Sequence, residues 1–296
     1  MKKVLIICGP TATGKTAFSV EIAKLLNGEI VSADSRQIYV GRDLITGKDI
    51  TGPSEESQVV WREKKLKYYL IDGIRVWLYD IVSQGENFNV SYWKECADLV
   101  IADILSRGKL PIVVGGTGLF IKALTQNLSD IDVPYNESLR QELETKSVEE
   151  LFDYLKSEDP TRANSLNESD AKNPRRLIRA IEISIVSKKI IPPLASRGGS
   201  RGSYNYLQVC LSTTTKELYP RIDQRVDGRI AAGAALEDPE LASDPQKWKF
   251  HEHGLARRQI TWFKKQPDLI WFDISAHDWH TNAIESISNW YNKSDA

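Results

Sequence analysis

Apolar and polar residues alternate along the first 128 residues in the manner of strands and helices that follow one another. An apolar run, Val4 to Cys8, leads into a glycine-containing loop, and apolar positions with helical spacing then extend from Lys15 to Leu26. A second apolar run, Glu29 to Ala33, follows Asn27-Gly28. Such alternation predicts a parallel sheet whose strands are joined by crossover helices.

Further along this region the pattern predicts more strands and one longer helix. The stretches Tyr68 to Ile74 and Val76 to Val82 are apolar enough to form a hairpin or two strand ends. Apolar positions from Trp93 to Leu105 recur on one side of a helix, which Gly108 stops. A short buried strand, Leu110 to Val114, then ends in glycines.

The loop after the first strand has the spacing of a phosphate-binding loop. Residues 9 to 16 read GPTATGKT, which matches G-x-x-x-x-G-K-[ST] between a strand and a helix. Glycines let backbone N–H groups surround a phosphate, Lys15 adds a point charge, and the Thr16 hydroxyl can ligate Mg²⁺. The loop alone does not distinguish triphosphate hydrolysis, kinase chemistry and departure of a diphosphate.

Two other predicted strands end in residues that can carry chemistry. Asp34 follows the second strand, at the edge where open α/β sheets place their sites, and is a candidate base. A helix cap or a magnesium partner is the alternative role for this carboxylate. After the strand Leu110 to Val114, glycines permit close backbone approach and Thr117 offers a hydroxyl to an oxyanion. The alternative there is a tight turn without a ligand.

From Ser129 onward, charged helical segments replace this pattern. They are residues 136–145, 148–156 and 173–186. The next convincing strands are Asn205 to Ser212 and Asp268 to Ile274, and the stretch Ser196 to Ser203 reads as a mobile loop. The sequence therefore predicts an α/β fold with a P-loop parallel-sheet core, residues 1–128 and 201–296, and a helical insertion domain, residues 129–200.

Composition restricts the class of protein further. Of the 296 residues 41% are hydrophobic, and 39 Lys and Arg balance 40 Asp and Glu, so no overall basic charge indicates nucleic acid. Cys8, Cys96 and Cys210 are too widely spaced for a zinc site and suit reduced thiols. The N-terminal apolar run lacks a signal-peptide pattern, and no run reaches the roughly 18 residues of a membrane span. We therefore expect a cytoplasmic protein without a membrane partner.

Five motifs in order carry a resemblance to a known family. They are GPTATGKT, SADSRQIY, LPIVVGGTGLFIKAL, RRLIRAIE and LARRQITWF. In this order the motifs resemble the tRNA dimethylallyltransferases of bacterial type, which transfer a prenyl group from dimethylallyl diphosphate to N6 of adenosine 37 in tRNA. The resemblance implies that the partners are this diphosphate and a tRNA anticodon stem-loop, that Mg²⁺ is the cofactor, and that the protein is a monomer.

The resemblance also implies site residues. Asp34 would accept the proton of the adenosine amine, and Thr117 would assist the leaving diphosphate. Mg²⁺ would bind at Thr16, and the diphosphate would bind to Gly9, Thr11, Ala12, Thr13, Gly14, Lys15 and Thr16. The residues implied in tRNA binding are Asp34, Ser35, Arg36, Gln37, Arg140, Arg175, Arg176, Arg179, Arg257, Arg258 and Gln259. For the helical arginines the alternative is a solvated face or an ion pair with Glu182.

The chain departs from the family before the last motif. The connection from Gly233 to Leu255 is shorter than in the family, and His253 stands where the family has an arginine. Three alternative functions stay open on the residues alone: prenylation of free adenine nucleotide, a P-loop small-molecule kinase, and a protein that binds anticodon loops without transfer. The four late histidines fit a surface or structural role better than a metal site.

Overall fold

A computed structural model describes residues 2–50, 52–126, 128, 130, 133, 135–189 and 204–293, with backbone only at 188 and 189. The chain divides into two compact units: a core unit, Met1–Gln126 with Arg201–Ala296, and a helical unit, Asn127–Ser200. The mobile loop predicted at Ser196 to Ser203 lies outside the described residues. The predicted role of the insertion in tRNA binding stays a prediction.

Within the described residues, eight strands of the core unit form one sheet. The strands are β1 Lys2–Cys8, β2 Gly28–Ser32, β3 Glu55–Trp61, β4 Lys64–Ile71, β5 Ile74–Trp77, β6 Leu110–Gly115, β7 Tyr204–Ser212 and β8 Leu269–Asp273. Their order across the sheet is β3-β4-β5-β2-β6-β1-β7-β8. Neighbours from β5 to β8 are parallel, whereas β4 is antiparallel to β3 and β5. The predicted α/β fold with a mostly parallel sheet is confirmed.

The helices alternate with the strands in the core unit and follow one another in the helical unit. They are α1 Lys15–Leu25, α2 Asp43–Thr46, α3 Val90–Ser106, α4 Gly118–Thr125, α5 Glu137–Leu143, α6 Val148–Glu158, α7 Pro160–Ser165, α8 Glu168–Ala171, α9 Pro174–Lys189, α10 Thr215–Ala231, α11 Pro239–Ser243, α12 Pro245–Phe263 and α13 Trp279–Asn292. Across the described ranges, none of these helices has the length and apolar character needed to cross a bilayer.

The central strands are continuous apolar runs because both faces of the sheet are covered. β2 and β6 are buried along their whole length, and β1 is buried from Val4 to Cys8. On one face, α3 and α4 meet where the Trp93 and Phe120 rings stack with centroids 4.5 Å apart. On the other face, α1 contributes Phe18 and α13 contributes Ile287 to a second apolar cluster.

The parallel register brings three loops to the same edge of the sheet. Cys8, at the end of β1, pairs with Gly115 at the end of β6, and Ser32 of β2 pairs with Val114. The carboxyl ends of parallel strands lie at one edge, so the residues that follow β1, β2 and β6 converge there. This convergence places the phosphate loop, Asp34 and Thr117 close together.

A buried carboxylate anchors the start of β2. The Glu29 side chain is 1% exposed and accepts hydrogen bonds from Arg107 Nη2 at 2.7 Å and Trp77 Nε1 at 2.9 Å. Lys109 Nζ lies 3.0 Å from the same carboxylate. Burial alone would raise the pKa of Glu29, but these donors outweigh it and lower the pKa to about 2. Glu29 is therefore ionised and holds the strand to the end of α3.

The helical unit has an apolar core of its own. Leu143, Leu151, Leu155, Leu177 and Ile181 are fully buried and pack in one cluster. Their spacing on α5, α6 and α9 is the amphipathic pattern that predicts helices in this region. A capping box between Ser147 and Glu150 starts α6.

At one edge of the sheet the strands are antiparallel. Of the two arrangements left open for Tyr68 to Val82, a hairpin forms, because β4 and β5 pair with Tyr69 opposite Val76. β3 has no clear counterpart in the predicted elements, since its sequence, EESQVVW, is charged at one end. It forms an edge strand against β4, where pairing with a neighbour compensates for weak apolar patterning.

Candidate active site

The phosphate loop, Gly9 to Thr16, has a backbone conformation that requires glycine at two positions. The φ angle is +135° at Gly9 and +81° at Gly14. A Cβ atom on Gly9 would lie 2.1 Å from the carbonyl oxygen of Leu211, on the neighbouring β7. The loop is thus fixed against the sheet by a contact that any side chain would destroy.

Lys15 is held inside this loop. Its Nζ donates a hydrogen bond of 2.6 Å to the carbonyl oxygen of Pro10, and the Thr13 hydroxyl donates to the same oxygen at 2.9 Å. Burial lowers the pKa of Lys15 to about 8, and the nearby positive charge of Arg225 adds to this effect. A bound anion would oppose both effects, because it would stabilise the charged form of the lysine.

A cavity of about 570 Å³ lies beside the loop, and we call it the loop cavity. Thr11, Ala12, Gly14, Lys15 and Thr16 contribute to its wall, so it begins at the N-terminal end of α1. Among the described residues, no side chain forms a capping hydrogen bond at that helix end. Its free N–H groups and the helix dipole make this part of the cavity suitable for a phosphate group.

Asp34 lies in the wall of the same cavity. Its Oδ1 atom accepts a hydrogen bond from the backbone N–H of Arg36 at 2.9 Å, and the Arg36 Nε atom lies 3.8 Å away. The Asp34 side chain is 19% exposed. The carboxylate is therefore oriented by its own loop while it remains accessible to a ligand in the cavity.

Thr117 links the turn after β6 to the loop that carries Asp34. Its Oγ1 accepts a hydrogen bond from the backbone N–H of Ser35 at 2.9 Å and lies 3.2 Å from the Ser35 hydroxyl. The backbone N–H of Thr117 donates to the carbonyl oxygen of Ala33 at 3.1 Å. In this position Thr117 orients the Asp34 segment; contact with a leaving group stays a prediction.

The glycines after β6 are required by close packing. A Cβ atom on Gly115 would lie 2.1 Å from the carbonyl oxygen of Ala33, and one on Gly116 would lie 2.2 Å from Gln259 Nε2. Gln259, on α12, donates to the carbonyl oxygen of Gly116 at 3.1 Å and accepts from the backbone N–H of Thr11 at 2.9 Å. Gln259 therefore joins the phosphate loop to the Gly115-Gly116 turn.

Replacing Gln259 with leucine is expected to destabilise the protein by about 1–3 kcal/mol, because a buried backbone N–H at Thr11 loses its acceptor. The free energy of unfolding in urea measures this change. Arg258→Leu on the same helix serves as the control, since that side chain is exposed and its loss should cost under about 0.5 kcal/mol. Equal unfolding midpoints for the two variants would contradict the bridging role.

The other residues that the family resemblance assigns to tRNA binding in the core unit occupy different environments. Arg36 Nη1 donates to Glu252 at 2.5 Å. Gln37 is buried, accepts from the Ser32 hydroxyl at 2.8 Å and donates to the carbonyl oxygen of Gly47 at 3.1 Å. Arg257 and Arg258 are exposed on α12. The guanidinium group of Arg257 lies over the Phe250 ring, 6.0 Å from its centroid. RNA contact by any of these residues stays a prediction.

The sequence analysis missed residues that α10 brings to the cavity. Arg221 Nε donates to the carbonyl oxygen of Ala12 at 3.1 Å, and Arg225 Nη1 donates to the Thr11 hydroxyl at 3.1 Å. Both line the loop cavity. With Arg229 they recur every fourth residue in RIDQRVDGR, so they share one face of the helix. This spacing is the feature of the sequence that could have identified the three arginines.

In the helical unit the implied tRNA-binding arginines differ in their partners. Arg140 binds the buried carboxylate of Glu182 with two hydrogen bonds of 2.7 Å, and Arg179 donates to it at 3.1 Å. Arg176 pairs with Asp170, and both Arg175 and Arg176 are exposed. The alternative role for helical arginines, an ion pair with Glu182, thus describes Arg140 and Arg179.

His253 is held within the core unit. Its Nε2 lies 2.8 Å from Asp223 Oδ1, and its ring stacks on Tyr219 with centroids 3.9 Å apart. Within the part of the chain that the structure describes, no group of three or more His, Cys, Asp or Glu side chains could hold a metal ion. The three cysteines are buried.

A magnesium ion nevertheless fits one place in the loop cavity. Thr16 lines the cavity together with Asp34 and Asp49, and its backbone carbonyl, rather than its hydroxyl, accepts the 2.7 Å hydrogen bond from the Ser19 hydroxyl. Mg²⁺ is commonly held by one or two protein oxygens together with substrate phosphates and water. These residues suit an ion that arrives with a diphosphate better than one that the protein holds alone.

Comparison with known proteins identifies the family. The family model described as IPP transferase matches residues 37–249. A tRNA dimethylallyltransferase of Anoxybacillus flavithermus is 33% identical over 93% of this chain and 91% of its own length. One of Thermodesulfovibrio yellowstonii is 34% identical over 97% of both chains.

Solved structures agree with these relatives. The tRNA isopentenylpyrophosphate transferase of Bacillus halodurans superposes with a TM-score of 0.61 at 30% identity, over 98% of this chain and 96% of that one. A eukaryotic dimethylallyltransferase acting on tRNA has a TM-score of 0.74 at 21% identity, over 98% and 80%, which shows a shared fold. The phosphate loop, the Asp34 segment and the Gly115-Gly116 turn meet within this fold, and the chain belongs to the tRNA dimethylallyltransferase family.

Proposed function

We propose that this protein transfers a dimethylallyl group from dimethylallyl diphosphate to the exocyclic N6 of adenosine 37 in tRNA. The observation that carries the proposal is that one cavity holds both the phosphate loop and an accessible carboxylate, Asp34. A prenyl transfer needs these two elements side by side, because the diphosphate departs as the amine loses a proton. The proposal keeps the cytoplasmic location and monomeric state predicted from the sequence.

In the proposed step, N6 of the adenosine forms a bond to C1 of the dimethylallyl group while the bond from C1 to the diphosphate oxygen breaks. The diphosphate keeps the electron pair of that bond, and the amine proton passes to Asp34. Lys15, Arg221 and Arg225 surround the place where negative charge accumulates. Preorganised cations and N–H groups stabilise such charge better than water does.

Mg²⁺ held at Thr16 would neutralise part of the diphosphate charge. The protein itself contributes by holding the base and the diphosphate site in fixed positions. The Ser35 and Thr117 contacts fix the Asp34 segment, and Gln259 fixes the phosphate loop relative to the turn after β6. The distance between base and leaving group is therefore set by hydrogen bonds within the core unit.

A second cavity, of about 460 Å³, suits the nucleoside. It shares Arg36 and Thr46 with the loop cavity and is also lined by Tyr39, Trp248 and Arg258. Aromatic side chains and arginine are the groups on which unstacked bases of single-stranded RNA loops rest. We propose that adenosine 37 enters through this side and the diphosphate through the phosphate-loop side.

A single-turnover assay tests the proposal. Purified protein, Mg²⁺ and labelled dimethylallyl diphosphate are mixed with an anticodon stem-loop that carries adenosines at positions 36 to 38. Label is expected on the adenosine at position 37, and a stem-loop with guanosine at that position is the control. Label on free AMP, ADP or ATP but not on RNA would favour the adenylate transferase.

Two other outcomes would also reject the proposal. Consumption of ATP with phosphate transfer to an acceptor would indicate a small-molecule kinase. Tight binding of the stem-loop with all label left in the diphosphate would indicate a protein that binds anticodon loops without transfer.

A further inference from the structure

Arg229, on α10, is a buried cation whose guanidinium group is only partly satisfied by the described residues. It is 6% exposed, and within the described residues its Nε and Nη2 atoms are buried and form no hydrogen bond. The carboxylates of Glu252 and Asp49 stabilise its charge from a distance, but among these residues neither lies within ion-pair range of it. A buried charge without a partner is costly, and native proteins rarely keep one that serves no purpose.

The position of Arg229 links it to the loop cavity. A Cβ atom on Gly47 would lie 2.3 Å from Arg225 Nη2 and 2.4 Å from Arg229 Nη2, so the two guanidinium groups lie side by side at Gly47. Arg225 is the inner member of this pair, because it lines the loop cavity and binds Thr11 of the phosphate loop. Arg229 lies behind it.

Like charges therefore accumulate at this side of the cavity. Lys15, Arg36, Arg221 and Arg225 line the wall, which also contains the carboxylates of Asp34 and Asp49. Burial lowers the pKa of Arg229 to about 10, and the charges of Arg225 and Arg36 add to this effect, while the carboxylates of Glu252 and Asp49 offset only part of it. Its environment thus disfavours the cation as long as the cavity lacks an anion.

We infer that Arg229 is a positioning residue for the anionic ligand: from behind Arg225 it supplies positive charge that strengthens diphosphate binding without contact. The inference rests on the proposed function, since it assigns a diphosphate to the loop cavity. An anion in the cavity relieves the repulsion between Arg225 and Arg229, so part of the unfavourable energy of the free protein is recovered on binding. Charge effects of this kind persist in a buried site, where solvent screens poorly.

The test replaces Arg229 with methionine, which has a similar length but no charge. Calorimetric titration with magnesium pyrophosphate is expected to show an affinity about tenfold weaker than that of the wild type. The reason is that the variant lacks one buried positive charge that lies near the pyrophosphate without touching it. The melting temperature of the free variant is expected to equal or exceed that of the wild type, because an unpaired charge has gone. In the transfer assay, KM for dimethylallyl diphosphate should rise while kcat changes little.

Two further variants separate charge from shape. Lys216→Met removes the same charge from an exposed site on α10, about 20 Å away along the helix, and should leave the affinity unchanged. Arg229→Lys keeps the charge and should stay within about threefold of the wild type. A lysine variant as weak as the methionine variant would overturn the inference, because shape and not charge would then matter.

The remaining outcomes distinguish the two proposals. If Arg229→Met binds pyrophosphate as tightly as the wild type does, Arg229 is a packing residue and the inference falls while the proposed function stands. If the wild type itself does not bind pyrophosphate, the assignment of the loop cavity fails and the inference fails with it.

Discussion

Asp34→Asn is expected to slow prenyl transfer by about 10²–10⁴-fold, the usual contribution of a general base. Asparagine has the same shape, and its carbonyl oxygen can still accept the hydrogen bond that Arg36 N–H gives to Asp34. The variant therefore removes the proton acceptor and leaves the loop in place. The single-turnover rate with a saturating stem-loop measures the effect.

Binding of pyrophosphate provides the internal control for this variant. Removal of a negative charge from the loop cavity should leave the affinity equal or make it higher, since Asp34 lines the same wall as Lys15. Asp72→Asn, at an exposed turn residue, should transfer at the wild-type rate. A rate for Asp34→Asn above a tenth of the wild-type rate would show that another group accepts the proton.

Glu29→Gln is expected to reduce the free energy of unfolding by about 3–5 kcal/mol, the usual cost of breaking a buried ion pair. The 1%-exposed carboxylate binds Arg107, Trp77 and Lys109 and has Arg75 3.8 Å away, and a neutral amide cannot satisfy these three cations. Chemical denaturation measures the loss. Glu56→Gln is the matched control, because that carboxylate pairs with Lys65 at the surface, where such pairs contribute about 0–1 kcal/mol.

The same residue makes stability depend on pH in the acid range. The pKa of Glu29 is about 2 in the folded protein and lies near 4.3 in an unfolded chain, so the folded state favours the ionised form. Its contribution is complete above about pH 5 and declines as the pH falls toward 2. In Glu29→Gln this part of the decline should be missing. Parallel acid-unfolding curves for the two proteins would contradict the role of Glu29.

Patterns that are local in the sequence predicted the architecture and the two loops that carry Asp34 and the phosphate site. The phosphate loop, Gly9 to Thr16, could be identified because the spacing of its motif residues determines its backbone geometry. Asp34 could be identified because it directly follows an apolar strand. Arg221 and Arg225 could not be identified in this way, because their role depends on α10 lying against the phosphate loop. Helix periodicity does not indicate such a tertiary contact. Gln259 shows the same limit. The motif predicts that Gln259 lies near RNA, which stays a prediction, but it does not indicate that packing makes this residue a bridge between two loops.

The order of strands in the sheet also has a consequence for synthesis on the ribosome. β1 lies between β6 and β7, and β7 begins only at Tyr204. A nascent chain therefore exposes one edge of β1 until the residues from Tyr204 to Ser212 have emerged. The helical unit, by contrast, is a continuous stretch with its own apolar core and can collapse as soon as it leaves the exit tunnel. The inserted unit is thus able to finish folding before the unit whose two segments flank it in the sequence.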